Sequence, residues 1–373
     1  MNTRNTGLRR TAIAVASSAM AITVSGCGLG IGGSGTSASP TKGDDIKVGL
    51  LLPEKQNTRY DKFDYPIIRD QVLKLTEKKG DVVYLNAEQD AAKQLRQMQQ
   101  MIDDKVDVIL VDAVDSVTIA KGVRKAKDAG IPVIAYDRLA QGPIDAYISF
   151  DNELVGETQA KALVGALGTS SASKKIIMMN GSVTDPNAAQ FKKGALSELQ
   201  DKVIISAAYD TKDWDPVNAK ANMQKSIQAV GLSNIAGVYA ANDGIAGAVI
   251  DAFKEAGVSK VPPVTGQDSE LDAVQRIIKG DQYMSVYKSY PQEASAAAEM
   301  AVARVQGRSI EFDALTRDKV TSPTTKDVPS QLVPVVALTK DNVENTVIQD
   351  GIYPVAKVCT APYKSLCSSL GIK

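Results

Sequence analysis

Histidine is absent from all 373 residues, and tryptophan occurs once. Without imidazole there can be no Ser-His-Asp or Cys-His nucleophile pair, no His-ligated zinc or iron, and no imidazole acid–base step. Carboxylate and lysine chemistry remain, so the composition disfavours enzymes without excluding every one. No charge of one sign predominates, since 43 Lys+Arg face 43 Asp+Glu. Nothing therefore suggests the clustered basic face that nucleic acid requires. The apolar run over 12–24 holds 13 residues, short of the roughly 20 that a bilayer-spanning helix needs. What is present is ordinary globular composition, 44% apolar and 23% charged, in a chain long enough for about two domains.

The first residues read as an export signal. Arg4, Arg9 and Arg10 precede the apolar run, which ends in Val24-Ser25-Gly26-Cys27. That ending resembles the bacterial lipobox, with Cys27 as the lipidated first residue of the mature chain. Residues 1–26 are then a lipoprotein signal peptide, and 27–45 a Gly/Ser-rich tether with little to bury. Cleavage would remove three arginines and no acid, leaving 40 basic against 43 acidic side chains. Gly28, Gly30 and Gly33 satisfy G-x-G-x-x-G literally. No strand precedes them and no helix follows, so no nucleotide site is expected there. Cys359 and Cys367 lie close together near the C-terminus. Outside the cytosol a disulfide closing a small loop is expected, with two free thiols the alternative.

From Ile46 onward, short apolar runs alternate with amphipathic stretches, the pattern of βαβ units on a parallel sheet. Strands are predicted over 47–52, 82–86, 108–112, 132–136 and 146–150, then over 175–180, 203–208, 237–241, 264–266 and 283–288. Helices are predicted between them. The run Val108-Ile109-Leu110-Val111 does not alternate, as expected of a strand covered on both faces. Gly80, Gly130, Gly257 and Gly280 follow predicted helices, where a left-handed residue closes the last turn. Two series of units imply two similar doubly wound parallel-sheet lobes.

Ligands of doubly wound sheets bind beyond the carboxyl ends of the strands. The residues just after each apolar run are polar and planar: Arg59-Tyr60, Asp137-Arg138, Thr184 to Asn187, Asp213-Trp214-Asp215, Asn242-Asp243, Gln267-Asp268 and Lys288. Each has a bland alternative. Asp137-Arg138 could be a surface ion pair, Trp214 a core residue, Asn242-Asp243 a helix N-cap and Lys288 a solvated side chain. Their common edge is what argues for a site. Carboxylates and amides accept from sugar hydroxyls, while Arg, Lys and amide NH₂ donate to them. Aromatic rings cover the apolar faces of a sugar ring. With no phosphate loop and no dense cationic cluster, a neutral polyol fits better than a nucleotide.

At these residues the chain resembles the periplasmic D-xylose-binding protein family, within the ribose/galactose-type solute-binding proteins of ABC sugar transporters. The resemblance is carried by Val133 to Arg138, by Tyr147 to Glu153 with Val155-Gly156, and by Ala241-Asn242-Asp243, Gly266-Gln267-Asp268 and Ser285 to Lys288. It implies a type I periplasmic-binding-protein fold, two α/β lobes joined by a three-crossover hinge that closes on one monosaccharide. The implied lobes are 46–149 plus about 269–307, and 150–268 plus about 308–353, with 354–373 a tail. The implied hydrogen-bonding ligands are Arg59, Asp137, Arg138, Asn187, Asn242, Asp243, Asp268 and Lys288. Tyr60 and Trp214 would stack on the sugar, and Gln267 would lie at a hinge crossover. The resemblance implies no cofactor, no metal and no nucleic acid. It also implies a monomer held to the outer face of the cell membrane, delivering D-xylose or a related aldose to a permease. Tyr60, Pro186 and the chain beyond Tyr353 depart from the family's pattern.

Two other functions are weighed against this one. A sugar-responsive regulator of the same fold would need an N-terminal helix-turn-helix, where residues 1–45 offer an export signal. A secreted glycosidase would need a carboxylate pair, for which Asp243 and Asp268 are the candidates.

Overall fold

The computed structural model describes residues 42–373. The expected signal peptide, Cys27 and most of the tether lie outside the described residues. In the first part of the chain β1 (Lys47–Leu52), β2 (Asp81–Asn86), β3 (Val108–Val111), β4 (Val133–Tyr136) and β5 (Ala146–Phe150) alternate with helices Tyr65–Leu75, Ala91–Asp103 and Ala120–Asp128. Then β6 (Lys175–Asn180), β7 (Ile204–Asp210) and β8 (Ile235–Ala240) follow helices Asn152–Leu167, Pro186–Leu199 and Pro216–Val230. The last third holds β9 (Ser285–Lys288), β10 (Asp318–Val320), β11 (Val328–Val333) and β12 (Val335–Leu338).

One sheet has the order β10-β11-β5-β4-β3-β1-β2, parallel except for the β10–β11 pair. A second has the parallel order β7-β6-β8. Beside it, Val264 bridges to Val238 and Gln267 to Val286, which links the antiparallel pair β9–β12 to the same lobe. The apolar runs explain the layering. In β3, Val108 and Leu110 join the cluster containing Ile68 and Ala297, whereas Ile109 and Val111 join that of Met98, Met101 and Val123. Alternate side chains thus feed cores on opposite faces, each worth roughly 1.5–3 kcal/mol when fully buried. The second lobe has its own core of Ile176 to Met179, Val238, Val249 and Phe253.

The chain crosses between lobes at Phe150–Asn152, Lys288–Tyr290 and Val333–Val335, where one sheet's strand ends and an element of the other lobe begins. Three crossings were expected, but two boundaries move. β10 and β11, expected in the second lobe, pair beside β5 in the first. Helix Leu271–Lys279 and β9, expected in the first, pack in the second. The stretch 318–333 is too polar to announce a strand, and its pairing with β5 is what makes it one. The expected tail is integral: Val358, Cys367 and Ile372 share one core with Val343, Val347, Val274, Ile277 and Ile278. Cys359 and Cys367 form the disulfide, with Cα atoms 5.9 Å apart.

Candidate functional site

Each functional side chain stands where an apolar strand gives way to a capped helix or tight loop. Asp185 caps helix Pro186–Leu199 by accepting from Asn187 N, and Asn242 caps helix Asp243–Glu255 by accepting from Ile245 N. Asp137 follows β4 with φ +57°, and Asp268 has φ +92°. Such backbone is sparsely populated for residues with a Cβ and persists where surroundings impose it. Around Asp137 the carbonyl accepts from Tyr147 Oη at 2.9 Å, Ser149 Oγ at 2.7 Å and Asn187 Nδ2 at 3.1 Å.

The two lobes meet through buried charges. Arg59 lies between three carboxylates, Asp64 at 2.8 Å, Asp137 at 3.2 Å and Glu293 at 2.5 Å. Its guanidinium sits 4.4 Å from the centroid of the Tyr290 ring. Arg138 of the first lobe reaches Asp185 of the second at 2.8 Å, and Asp185 also accepts from Trp214 Nε1 at 3.1 Å. Lys288 pairs with Asp268 at 2.7 Å, and Asn57 Nδ2 donates to the same carboxylate at 3.0 Å. Ions this buried must be paired. Burial opposes charge on Asp137, yet Arg59, Lys288 and Arg138 hold its carboxyl below the usual range. Burial wins at Asp185, raising it despite Arg138.

Between these groups lies a cavity of about 200 Å³. That is below the roughly 300–1,000 Å³ of drug-sized ligand pockets, so it suits one small ring. Arg59, Tyr60, Asp137 and Arg138 line it from the first lobe. Asn187, Trp214, Asn242 and Asp268, with Lys288 at the crossing, line it from the second. Nine of the ten expected ligand residues therefore converge. Asn242 combines both of its possible roles, since its Oδ1 caps the helix and its NH₂ remains for the cavity. Trp214 packs against Gly181, where a Cβ would come within 2.0 Å of the indole. It meets Phe191 edge-on, with centroids 6.3 Å apart.

Asp243 is the exception. Its carboxylate turns away from the cavity and accepts from Gln282 Nε2 at 2.7 Å, Ser285 Oγ at 2.8 Å and Glu270 N at 3.0 Å. Because Asn242 takes the cap, Asp243 enters the first helical turn, which aims it at the segment bearing Ser285. Burial pushes its carboxyl up to about 7, against the pull of Arg276. An Asp243–Asp268 pair flanking a glycosidic bond is thereby lost. Gln267 also differs from expectation: it is held by its bridge to Val286 inside the second lobe and lines the cavity rather than a crossing.

Sequence reasoning missed Glu54, Asn57, Asp185, Phe191 and Glu270, which also line the cavity. Glu54 follows directly on the β1 run and Asp185 lies in the loop already singled out, so the strand-end rule could have found both. Burial pushes Glu54 up to about 7, and burial together with Asp243 and Asp268 pushes Glu270 up to about 8.

A model of the periplasmic binding protein domain matches residues 48–309. The chain belongs to that family. This binding protein is 34% identical to the D-xylose-binding periplasmic protein of Escherichia coli K12, over 83% of this chain and 91% of that one. It is 32% identical to the multiple sugar-binding periplasmic receptor ChvE of Rhizobium radiobacter, over 82% and 90% respectively. Among solved structures it is similar to an ABC transporter solute binding protein from Clostridium phytofermentans with bound β-D-glucose. There the TM-score is 0.77 and the identity 26%, covering 84% of this chain and 99% of that one. The binding protein thus has the family and the fold that its motifs implied.

Proposed function

We propose that this binding protein captures one monosaccharide by hinge closure and delivers it to the permease of an ABC importer, without chemical change. The observation that carries the reading is the single-ring cavity between the lobes, with donors and acceptors on both sides and Trp214 on one wall. Contacts such as Arg138–Asp185 and Asn187–Asp137 span the lobes, so opening the hinge would separate them. The named ligands of the relatives support a sugar, and D-xylose stands first among candidates, before glucose, galactose and arabinose. We place the protein outside the cytoplasm, tethered through lipid on Cys27 and acting as a monomer. Replacing Cys27 with alanine should then release it from the membrane fraction.

The test is a melting-temperature screen over pentoses, hexoses and inositol. Ligand at 100 times its dissociation constant should add about 2.7 kcal/mol, a rise on the order of 5 °C for a chain of this size. A flat response to every sugar overturns the reading.

A further inference from the structure

The cavity walls are unbalanced in charge. Five carboxylates line it, on Glu54, Asp137, Asp185, Asp268 and Glu270, against three cations, on Arg59, Arg138 and Lys288. All three cations are committed. Arg59 is divided among Asp64, Asp137 and Glu293, Arg138 between Asp185 and Asp112, and Lys288 holds Asp268. Glu54 and Glu270 have no ion pair among the described residues. Glu54, 4% exposed, accepts from the backbone amides of Asn57 and Gln56. Both stand within electrostatic reach of Asp268, from opposite lobes. Arg138 faces Glu54 from the first lobe. Arg276 faces Glu270 from its own helix, together with Asp243 and Asp272.

Two further groups point the same way. Asn187 Oδ1 and Gln267 Oε1 are buried acceptors in the cavity lining without a hydrogen-bond partner. The lining thus holds buried acceptors that await a donor, alongside the free NH₂ of Asn242. A hydroxyl donates one hydrogen bond and accepts others, whereas an ammonium group donates three and accepts none.

We infer that the acidic corner formed by Glu54 and Glu270 beside Asp268 seats the ammonium group of an amino sugar. This rests on the monosaccharide-binding reading and names a ligand class within it. The raised carboxyls agree with it, since a cation placed between them favours their ionised forms. Binding an amino sugar near pH 6.5 then releases protons, whereas binding its neutral parent does not. A sugar carboxylate or phosphate finds no free cation and is rejected.

The test uses the purified full chain in titration calorimetry. The ligands are D-xylose, D-glucose, D-glucuronate and glucose bearing an amine at C2, C3 or C6. Runs at pH 6.5 in two buffers of different ionisation enthalpy report the proton count. At least one amino sugar should bind tenfold or more tighter than glucose with proton release, and glucuronate should not bind. Glu54→Gln and Glu270→Gln should each bring the ratio of amino-sugar to glucose affinity towards one. If xylose or glucose binds and no amino sugar binds more tightly, the inference fails and the monosaccharide reading stands. If no sugar of any kind binds, both fail. Tighter binding without proton release, or a ratio untouched in both variants, also removes the corner as its cause.

Discussion

Exchanging Glu54 for glutamine isolates the consequence of burying one carboxyl. Burial pushes Glu54 from 4.5 up to about 7, while Arg138 and the backbone amides of Asn57 and Gln56 pull the other way. The folded chain therefore holds this proton more tightly than the unfolded chain does. The contribution to stability is complete below about pH 4.5 and is lost as pH rises through about 7. At 1.36 kcal/mol per unit, the loss accumulates to roughly 3 kcal/mol. Glutamine retains an oxygen for the Asn57 amide, fills nearly the same space and carries no charge. Without sugar, Glu54→Gln should melt with the parent near pH 4.5 and above it, on the order of 5 °C, at pH 8. Scanning calorimetry of both proteins across that range measures the difference directly. A difference that stays flat with pH, or turns negative at pH 8, refutes the argument.

Asp243→Ala should lower the melting temperature more than it weakens sugar binding. It strips three buried donors of their acceptor, which costs on the order of 3 kcal/mol at pH 5, where no charge penalty is relieved. An unchanged melting temperature with lost affinity would return Asp243 to the cavity wall. Gly181→Ala should displace the indole of Trp214, since the added methyl would lie within 2.0 Å of it. Trp214 is the chain's one tryptophan, so its emission should shift and sugar affinity should fall at least tenfold, and an unaltered spectrum would contradict the geometry. Reducing the Cys359–Cys367 bond, whose cysteines are 8 positions apart, should cost about 2–3 kcal/mol by loop-closure entropy. Calorimetry with and without reductant checks this, and equal melting points would exclude it.

Local pattern was enough for the elements that bury themselves wherever they pack. The strands at 47–52, 146–150 and 175–180 appear as predicted, because uninterrupted apolar runs need cover on both faces. The helix start at Asn242 was legible as an N-cap, and Asp151 and Asp185 cap their helices in the same way, a short side chain accepting from its own first turn. Gly130, Gly257 and Gly280 take positive φ as expected, but Gly80 does not, because Glu77 and Lys78 make that turn instead. The edge on which a site would form was also legible, and nine of the ten residues expected to bind ligand line the cavity there.

What the sequence by itself determined, then, was two series of βαβ units, the strand ends that bear polar groups and the exclusion of histidine chemistry. Each depends only on neighbours along the chain. Tertiary structure alone decided which lobe receives 318–333, because a polar strand is made by pairing with β5 rather than by its own composition. It decided that Asp243 braces Gln282, Ser285 and Glu270 while Asn242, one residue earlier, faces the cavity. It also decided that every cation of the cleft is already paired while Glu54 and Glu270 are not. Burial and charge balance are properties of groups brought together from distant parts of the chain, and they arise only once the lobes close on each other.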